Sequence, residues 1–418
     1  MPACLVCQSD RTEALLDLGW QPVSSHYTAS ADTAAVEHPL SLTLCAECSV
    51  VQLACPFPFQ DLVPRYDWIT YREPETHLDA VVDKICRLPG LNDRAAVAGL
   101  TFKDRTTLDR MRARGFSRVW SLDSRDDLGI IDPNAKVESI QALLTPAKAS
   151  EIVGRRGPVD LLIARHIVEH AEAPRQFMHA LLTLLAPNGY LLIEVPDCGG
   201  NLSRRDYTMI WEEHTLYLTS ETAPQILAAA GCVCLGVETY PFPYEDVIVL
   251  YAQKPEVNRA HPPGAASTTR KNELAREFSG FFEDCTKHYH RLFTDLTRDG
   301  RRLAAYGAGH LTCAFINYHD LGGYFAFVVD DTPHKQGLFL PKCGLPIVSA
   351  DRLVANEISA CIFGLAPQLE DKIIARNRDY VDKGGQFHSM FVDSPRSLRH
   401  IAPAITQKEQ KTWAKRGE

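Results

Sequence analysis

Residues 159–197 read Val159-Asp-Leu-Leu-Ile-Ala-Arg-His166-Ile-Val-Glu169-His170-Ala-Glu-Ala-Pro174-Arg-Gln-Phe-Met-His-Ala-Leu-Leu-Thr-Leu-Leu185-Ala-Pro-Asn-Gly189-Tyr-Leu-Leu-Ile-Glu-Val-Pro-Asp197. The apolar run Val159 to Ala164 predicts a buried strand, and Pro174 to Leu185 carries the spacing of an amphipathic helix. Asn188-Gly189 ends that helix, Tyr190 to Val195 is a second buried strand, and Pro196 closes it. A strand, a helix and a strand in this order form a βαβ unit, which demands a parallel sheet covered on both faces.

The same alternation extends from about residue 94 to 254, so residues 85–254 are expected to form a central doubly wound α/β domain. Residues 1–84 hold two Cys pairs and many turn residues, including Cys55-Pro-Phe-Pro-Phe59, and read as a small module with little core of its own. Residues 255–300 contain Pro262-Pro-Gly-Ala-Ala-Ser267, a linker, and then a long helix from about Lys271 to Thr297, closed by Asp299-Gly300. Residues 301–395 give a second strand-turn-helix-strand pattern: Leu303-Ala-Ala-Tyr306, Gly307-Ala-Gly309, a helix near His310 to Tyr318, and Phe325 to Val329 ending in Asp330-Asp331. A second Rossmann-like α/β domain is expected there, and residues 396–418 read as a mobile basic tail.

Composition limits the function classes. The chain of 418 residues has 45% apolar and 23% charged residues, globular values, and no run approaching the roughly 18 apolar residues of a membrane span. A net charge of −8 disfavours a nucleic-acid partner, which would select a basic face. Met1-Pro2-Ala3-Cys4 has neither the basic stretch nor the apolar run of a secretory signal, which leads to the expectation of a cytoplasmic protein. In a reducing compartment the thirteen cysteines are expected to be metal ligands and buried thiols, not disulfides.

Cys4-x-x-Cys7 and Cys45-x-x-Cys48 place two thiolates on each of two tight turns, the pattern of a tetrahedral zinc site with all four positions filled by protein. With no position open for water, the ion staples a module and does no chemistry. The alternative is four reduced thiols without metal, and Cys55 stands near enough in sequence to exchange for a ligand. The remaining cysteines fall in apolar or unpatterned settings and read as core thiols.

The paired Cys-x-x-Cys motifs, the Asp160 to His170 and Leu185 to Asp197 stretches, and Ile210-Trp-Glu-Glu-His214 together resemble the S-adenosylmethionine-dependent sugar C-methyltransferases. The resemblance extends to Tyr306-Gly-Ala-Gly309, Asp330-Asp-Thr-Pro-His-Lys-Gln-Gly337 and Leu345-Pro-Ile-Val-Ser349, so it covers nearly the whole chain. It implies a zinc module, a central methyltransferase-type Rossmann domain and a second α/β domain. It also implies proton removal beside the ketone of a nucleotide-linked sugar and methylation of the resulting carbanion, in the biosynthesis of unusual deoxysugars.

The family motif Tyr-His-Glu-His associates its last His and the preceding Glu with proton removal, which makes His214 the expected base and Glu213 its orienting partner. Expected cofactor contacts are Gly99, Asp104, Asp123, Arg165 and His166, with Asp123 placed to accept ribose hydroxyls. Expected substrate contacts are Tyr217, Tyr244, Glu245, Tyr306, His310, His334 and Lys335, the last two through phosphate.

This chain departs from the family pattern at three places. Trp211-Glu212 stands for Tyr-His, and Thr101 and Arg105 replace both glycines of the loop Glu-Ile-Gly-Ser-Asn-Asp-Gly. Tyr240-Pro-Phe-Pro-Tyr-Glu-Asp-Val247 has no counterpart of the family's sugar-contacting His-Gly-Gly-Ser. Two other readings therefore stand beside methylation: an enzyme that keeps proton abstraction without methyl transfer, and a non-catalytic binding protein. NAD is a lesser cofactor candidate, because Gly307-x-Gly309 followed by Asp330 has Thr312 at the third glycine of a dinucleotide fingerprint. His166-x-x-Glu169-His170 also matches the inverted zinc-peptidase pattern, which requires both His on one helical face.

Overall fold

A computed structural model describes residues 2–66, 75–242, 245–256, 268–355 and 358–401. The chain divides into two compact units that cut across chain order. One is built from residues 1–17, 40–199 and 213–275, the other from 18–39, 200–212 and 276–418.

Three strands open the first sheet: β1 (Thr12–Pro22), β2 (Glu37–Cys45) and the short β3 (Val51–Leu53). The main sheet of the first unit uses β4 (Ala96–Gly99), β5 (Arg118–Ser121), β6 (Val159–Arg165) and β7 (Leu185–Asp197). A two-residue strand, β8 (Leu216–Tyr217), joins the first sheet, in the order β1-β2-β3-β8. With β9 (Val233–Tyr240) and β10 (Asp246–Gln253) the main sheet runs β5-β4-β6-β7-β10-β9. Pairing is parallel from β5 through β7, and β10 is antiparallel to both of its neighbours.

Strand periodicity divides the core into two layers. Ala96, Ala98, Leu162, Ala164, Leu191, Ile193 and Ile248 pack on one face against the helices Pro146–Arg156 and Pro174–Leu184. Val97, Leu161, Ile163, Leu192 and Val249 pack on the other against Val81, Val82, Ile85, Leu108 and Met111. Successive side chains alternate faces, which is why these strands read as continuous apolar runs.

The helix predicted over Pro174 to Leu185 forms as Pro174–Leu184, and β7 begins at Leu185, five residues earlier than expected. The strand pattern passes through the Asn188-Gly189 turn because β7 pairs with β6 from Val159↔Leu185 onward, with an irregularity between Val159 and Leu161. Asn188 is left-handed (φ 61°). A Cβ on Gly189 would meet the Ala186 carbonyl oxygen at 2.9 Å and that of Val159 at 3.2 Å.

The second unit holds β11 (Arg302–Tyr306), β12 (Phe325–Val329), β13 (Ile347–Val348), β14 (Ile358–Phe363) and β15 (Gln386–Ser389) in the order β13-β12-β11-β14-β15. Every pair is parallel, so this domain is Rossmann-like as expected. Its core includes Ala304, Tyr306, Phe327, Val329, Phe363 and Phe387.

The single long helix expected after the linker is two, Thr268–Gly280 and Phe282–Leu296, and the break follows Ser279-Gly280, a weak helix-forming pair. The expected tail begins inside the fold: Ser397 and Leu398 are buried and Arg399 Nη2 donates to the Arg204 carbonyl. Among the described residues no helix is long and apolar enough to cross a membrane.

Gly189→Ala should lower stability by about 1–3 kcal/mol, because the new methyl meets backbone and not a movable side chain. Urea unfolding followed by circular dichroism measures the shift in midpoint.

Candidate active site

The chain leaves β6 at Arg165 through His166, which holds a left-handed φ of 48°, and forms one 3-10 turn over Val168–His170. A residue other than glycine at that φ carries some strain, and such positions cluster at functional sites. The turn carries Glu169 and His170 inward, with 2% and 5% exposure. Because this is a single 3-10 turn, His166 and His170 do not form the helical pair that the inverted zinc-peptidase pattern needs.

Thr215 fixes the neighbouring segment. Its N–H donates to the Glu169 carbonyl and its hydroxyl reaches the carbonyls of Glu169 and Ala171. On its other side the Thr215 carbonyl accepts from Leu53 N–H, and β8 continues the pairing as Gln52↔Leu216 and Val51↔Tyr217. His214 is thereby held against the turn after β6, its ring edge-on to His170 with centroids 4.6 Å apart at 84°.

The helix Val137–Leu143 adds Glu138, whose Oε1 lies 3.3 Å from His170 Nδ1. Glu169 Oε1 lies 3.9 Å from His170 Nε2 and 3.5 Å from His166 Nδ1. Neither oxygen of Glu169 and neither ring nitrogen of His170 has a partner in hydrogen-bonding geometry. Glu138, Glu169, His170, Glu213 and His214 are each at most 9% exposed. Ligand atoms of Glu169, His170 and His214 lie within 4.8 Å of one another, as do those of Glu138, His170 and Glu213, so either triad has donors suited to a cation or to a polar substrate group.

Behind this cluster stands Glu194 on β7, fully buried. It accepts from Arg165 Nη2 (2.8 Å) and meets His166 Nε2 (2.9 Å) and His77 Nε2 (3.0 Å). Burial pushes its carboxyl up, but the two imidazoles and the Arg165 charge more than reverse this and hold it well below the usual glutamate range. Arg165 Nη1 also donates to the Lys103 carbonyl. Asp104 accepts from the N–H groups of Leu100, Thr101 and Arg165, and burial raises its carboxyl to about 6 against those bonds.

Gly99, Asp104, Arg165 and His166 are thus gathered at the carboxyl ends of β4 and β6, but the last three serve mainly to bind those ends together. A Cβ on Gly99 would meet Asp104 Cβ at 2.7 Å, so glycine is required there by the turn's own packing. Asp123, just beyond β5, is different. It is exposed, and its Oδ1 caps the amides of Arg125 and Asp126.

Thr101 and Arg105, which replace the loop glycines, have φ of −133° and −52°, open to any L-residue. Thr101 caps the turn with Asp104 in a reciprocal capping box. The backbone at positions 101 and 105 therefore does not need glycine, and the acid beyond the second strand is present. This arrangement fits an adenosyl cofactor across the carboxyl ends of β4 and β5.

The four cysteines also meet the expectation. Sγ atoms of Cys4 and Cys48 are 3.6 Å apart, those of Cys7 and Cys45 3.5 Å, and all four lie within 4.8 Å of one another. Tetrahedral zinc with Zn–S of about 2.3 Å needs Sγ atoms roughly 3.8 Å apart. Cys55 is exposed and outside the cluster.

Of the expected substrate contacts, Tyr217 is 1% exposed within the first sheet, Glu245 is half-buried before β10, and Tyr244 lies outside the described residues. In the second unit, His310 is buried: its Nε2 meets the Thr208 carbonyl, its Nδ1 meets Ser24 Oγ and Glu212, and its ring stacks on Trp211 at 4.4 Å. Glu212, which replaces a family His, accepts from Ser24 N–H and is likewise internal. Tyr306 donates to Asp331, and His334 is exposed.

Lys335 binds Asp330 (2.9 Å) and the Ala308 carbonyl, while Asp330 Oδ2 also accepts from Ala308 N–H. The acid that a dinucleotide fingerprint would give to ribose is therefore consumed within the protein. Thr312 fills the third glycine position and reaches the carbonyls of Gly307 and Gly364. Sequence reasoning missed Glu138, Glu194 and Thr215, which no motif marks, and reached Glu169 and His170 only through the inverted zinc-peptidase pattern.

Three family models match successive parts of the chain: a zinc binding domain at residues 4–62, a methyltransferase domain at 103–236 and a C-methyltransferase C-terminal domain at 250–391. The C-methyltransferase NovU of Streptomyces niveus is 24% identical over 396 residues, covering 92% of this chain and 94% of that protein. Similar solved structures include the 1,6-didemethyltoxoflavin-N1-methyltransferase of Burkholderia thailandensis (16% identity, 43% of this chain, 77% of that one, TM-score 0.28). An S-adenosylmethionine-dependent methyltransferase from Aquifex aeolicus is another (17% identity, 43% and 93%, TM-score 0.28).

Glu194→Gln should cost about 3–5 kcal/mol at neutral pH, since it leaves Arg165 buried without its counter-charge. The native carboxyl is depressed, so its contribution is fully present above the ordinary glutamate value of about 4.3 and fades as pH falls toward the folded value. Urea titrations of both proteins from neutral to acid should converge. Removing zinc with a strong chelator should release the metal and melt the first sheet, read as a fall in thermal midpoint and in dye-detected zinc retained.

Proposed function

Because this chain belongs to the C-methyltransferase family that joins a zinc-binding domain, a methyltransferase domain and a C-terminal domain, we propose that it methylates a carbon beside the carbonyl of a nucleotide-linked keto-sugar, with His214 as base. The observation that supports this most is His214 itself: a buried imidazole beyond the carboxyl ends of the sheet, next to Glu213 and in ring contact with His170. An imidazole in such a place accepts a proton near neutrality, and acidic neighbours stabilise the imidazolium that forms.

When bound, S-adenosylmethionine supplies an electrophilic methyl group. In this reading the exposed Asp123 beyond β5 accepts ribose hydroxyls, with Gly99 and the Thr101 turn as the floor beside it. His214 removes the proton next to the carbonyl, and that carbon then holds the electron pair of the new carbon–carbon bond. Burial of the cluster excludes water that would return the proton. The loop conformations at Thr101 and Arg105 support retained methyl transfer over a scaffold kept only for proton abstraction or for binding.

Calorimetric titration should detect S-adenosylmethionine binding and no heat with NAD, and Asp123→Ala should weaken the former about tenfold or more. His214→Ala should lower methylation of nucleotide-linked keto-sugars about 10²–10⁴-fold with the fold intact. Full activity in that variant would remove His214 from the mechanism, and no heat with S-adenosylmethionine would overturn the methyltransferase reading.

A further inference from the structure

We propose that Glu138 is a positioning residue of this site: through the contact of its carboxylate with His170 it orients the imidazole that stands edge-on to His214, and so sets how tightly His214 holds a proton. This deepens the reading of His214 as base and rests on it. Glu138 lies in a helix that belongs to none of the recognisable motifs, and its side chain is buried beside His170 Nδ1 at 3.3 Å. One turn later, Gln141 Oε1 accepts from Glu172 N–H, so the same helix grips the turn after β6 at two points. The helix is therefore a brace for His170.

The approach of Glu138 to His170 is electrostatic, because His170 Nδ1 has no partner in hydrogen-bonding geometry. What Glu138 supplies is negative charge in a place shielded from water, where charge acts strongly. Burial pushes its own carboxyl up, and the His170 imidazole more than reverses this and keeps the carboxylate charged, with help from the Lys103 cation.

The other groups around the pair are known. Glu169 comes from the same turn as His170, Glu213 adjoins His214, and His166 stands behind Glu169. The Cys198 thiol at the end of β7 is kept neutral by burial and by the charges of Glu245, Asp197 and Glu169. Among these, Glu138 meets the side of His170 away from Glu169, since the two carboxylates approach opposite ring nitrogens. His170 thus has a carboxylate toward each ring nitrogen, at 3.3 and 3.9 Å, and its ring meets His214 edge-on.

The full-length protein labelled with 15N-histidine tests this without a substrate. His214 resonances are assigned with His214→Asn, and the imidazole titration is followed in wild type and Glu138→Gln. Removing a nearby negative charge disfavours the imidazolium, so the His214 midpoint should fall by about one pH unit in Glu138→Gln. The acid limb of any methylation pH profile should move down with it, whereas a merely structural Glu138 would lower stability and leave both midpoints in place.

An unmoved His214 midpoint in folded Glu138→Gln overturns the proposal. If that variant does not fold, Glu138→Asp carries the test: it withdraws the carboxylate by one methylene, and the midpoint must fall by a smaller amount, an unchanged value again overturning it. The base reading is judged separately, by whether His214→Ala abolishes methylation. Loss of activity there with no shift in Glu138→Gln rejects the role of Glu138 alone.

Discussion

The hydrogen bonds of Thr215 bind together the parts on which the site depends. Its backbone joins the turn after β6 on one side and the strand Val51–Leu53 on the other, and its hydroxyl is shared between two more carbonyl contacts. That strand pairs with β2, which ends at Cys45, and Gln52 accepts from Leu5 N–H beside the first cysteine turn. The cysteine cluster thus supports, through a few hydrogen bonds, the residue next to His214. A closed zinc site has no open position for chemistry, and here its structural service is to hold one wall of the candidate site.

Behind that wall, burial and charge oppose each other. Glu194, Arg165, His166 and His77 are all removed from water, which is costly unless each charge is matched. The match is made at the carboxyl ends of β6 and β7, where a doubly wound sheet places its ligands. Asp104 extends the network by accepting three backbone N–H groups from the ends of β4 and β6. The strain of His166 at φ 48° is sustained by these contacts.

Much of this was legible in the chain. The four cysteines, the βαβ unit of residues 159–197 and the second parallel domain were readable from spacing and apolar runs. Other expectations shifted once contacts were visible. Arg165 and Asp104 hold strand ends together, and His310 and Glu212 bind each other inside the second unit. The missing loop glycines proved compatible with the backbone, because Thr101 and Arg105 adopt ordinary φ values and Thr101 caps the turn. The long helix after the linker divides at Ser279-Gly280, where helix propensity is low.

The sequence by itself determined the zinc ligands and the order of strands in the two α/β domains, because each depends on near neighbours in the chain. Periodicity and ligand spacing are local properties. Only the tertiary structure decided that Glu138 stands against His170, that Thr215 ties the zinc module to the turn after β6, and that residues 18–39 and 200–212 belong with the C-terminal half. Those choices are made by packing and by the need to pair buried charges, and neither leaves a pattern in any short stretch of residues.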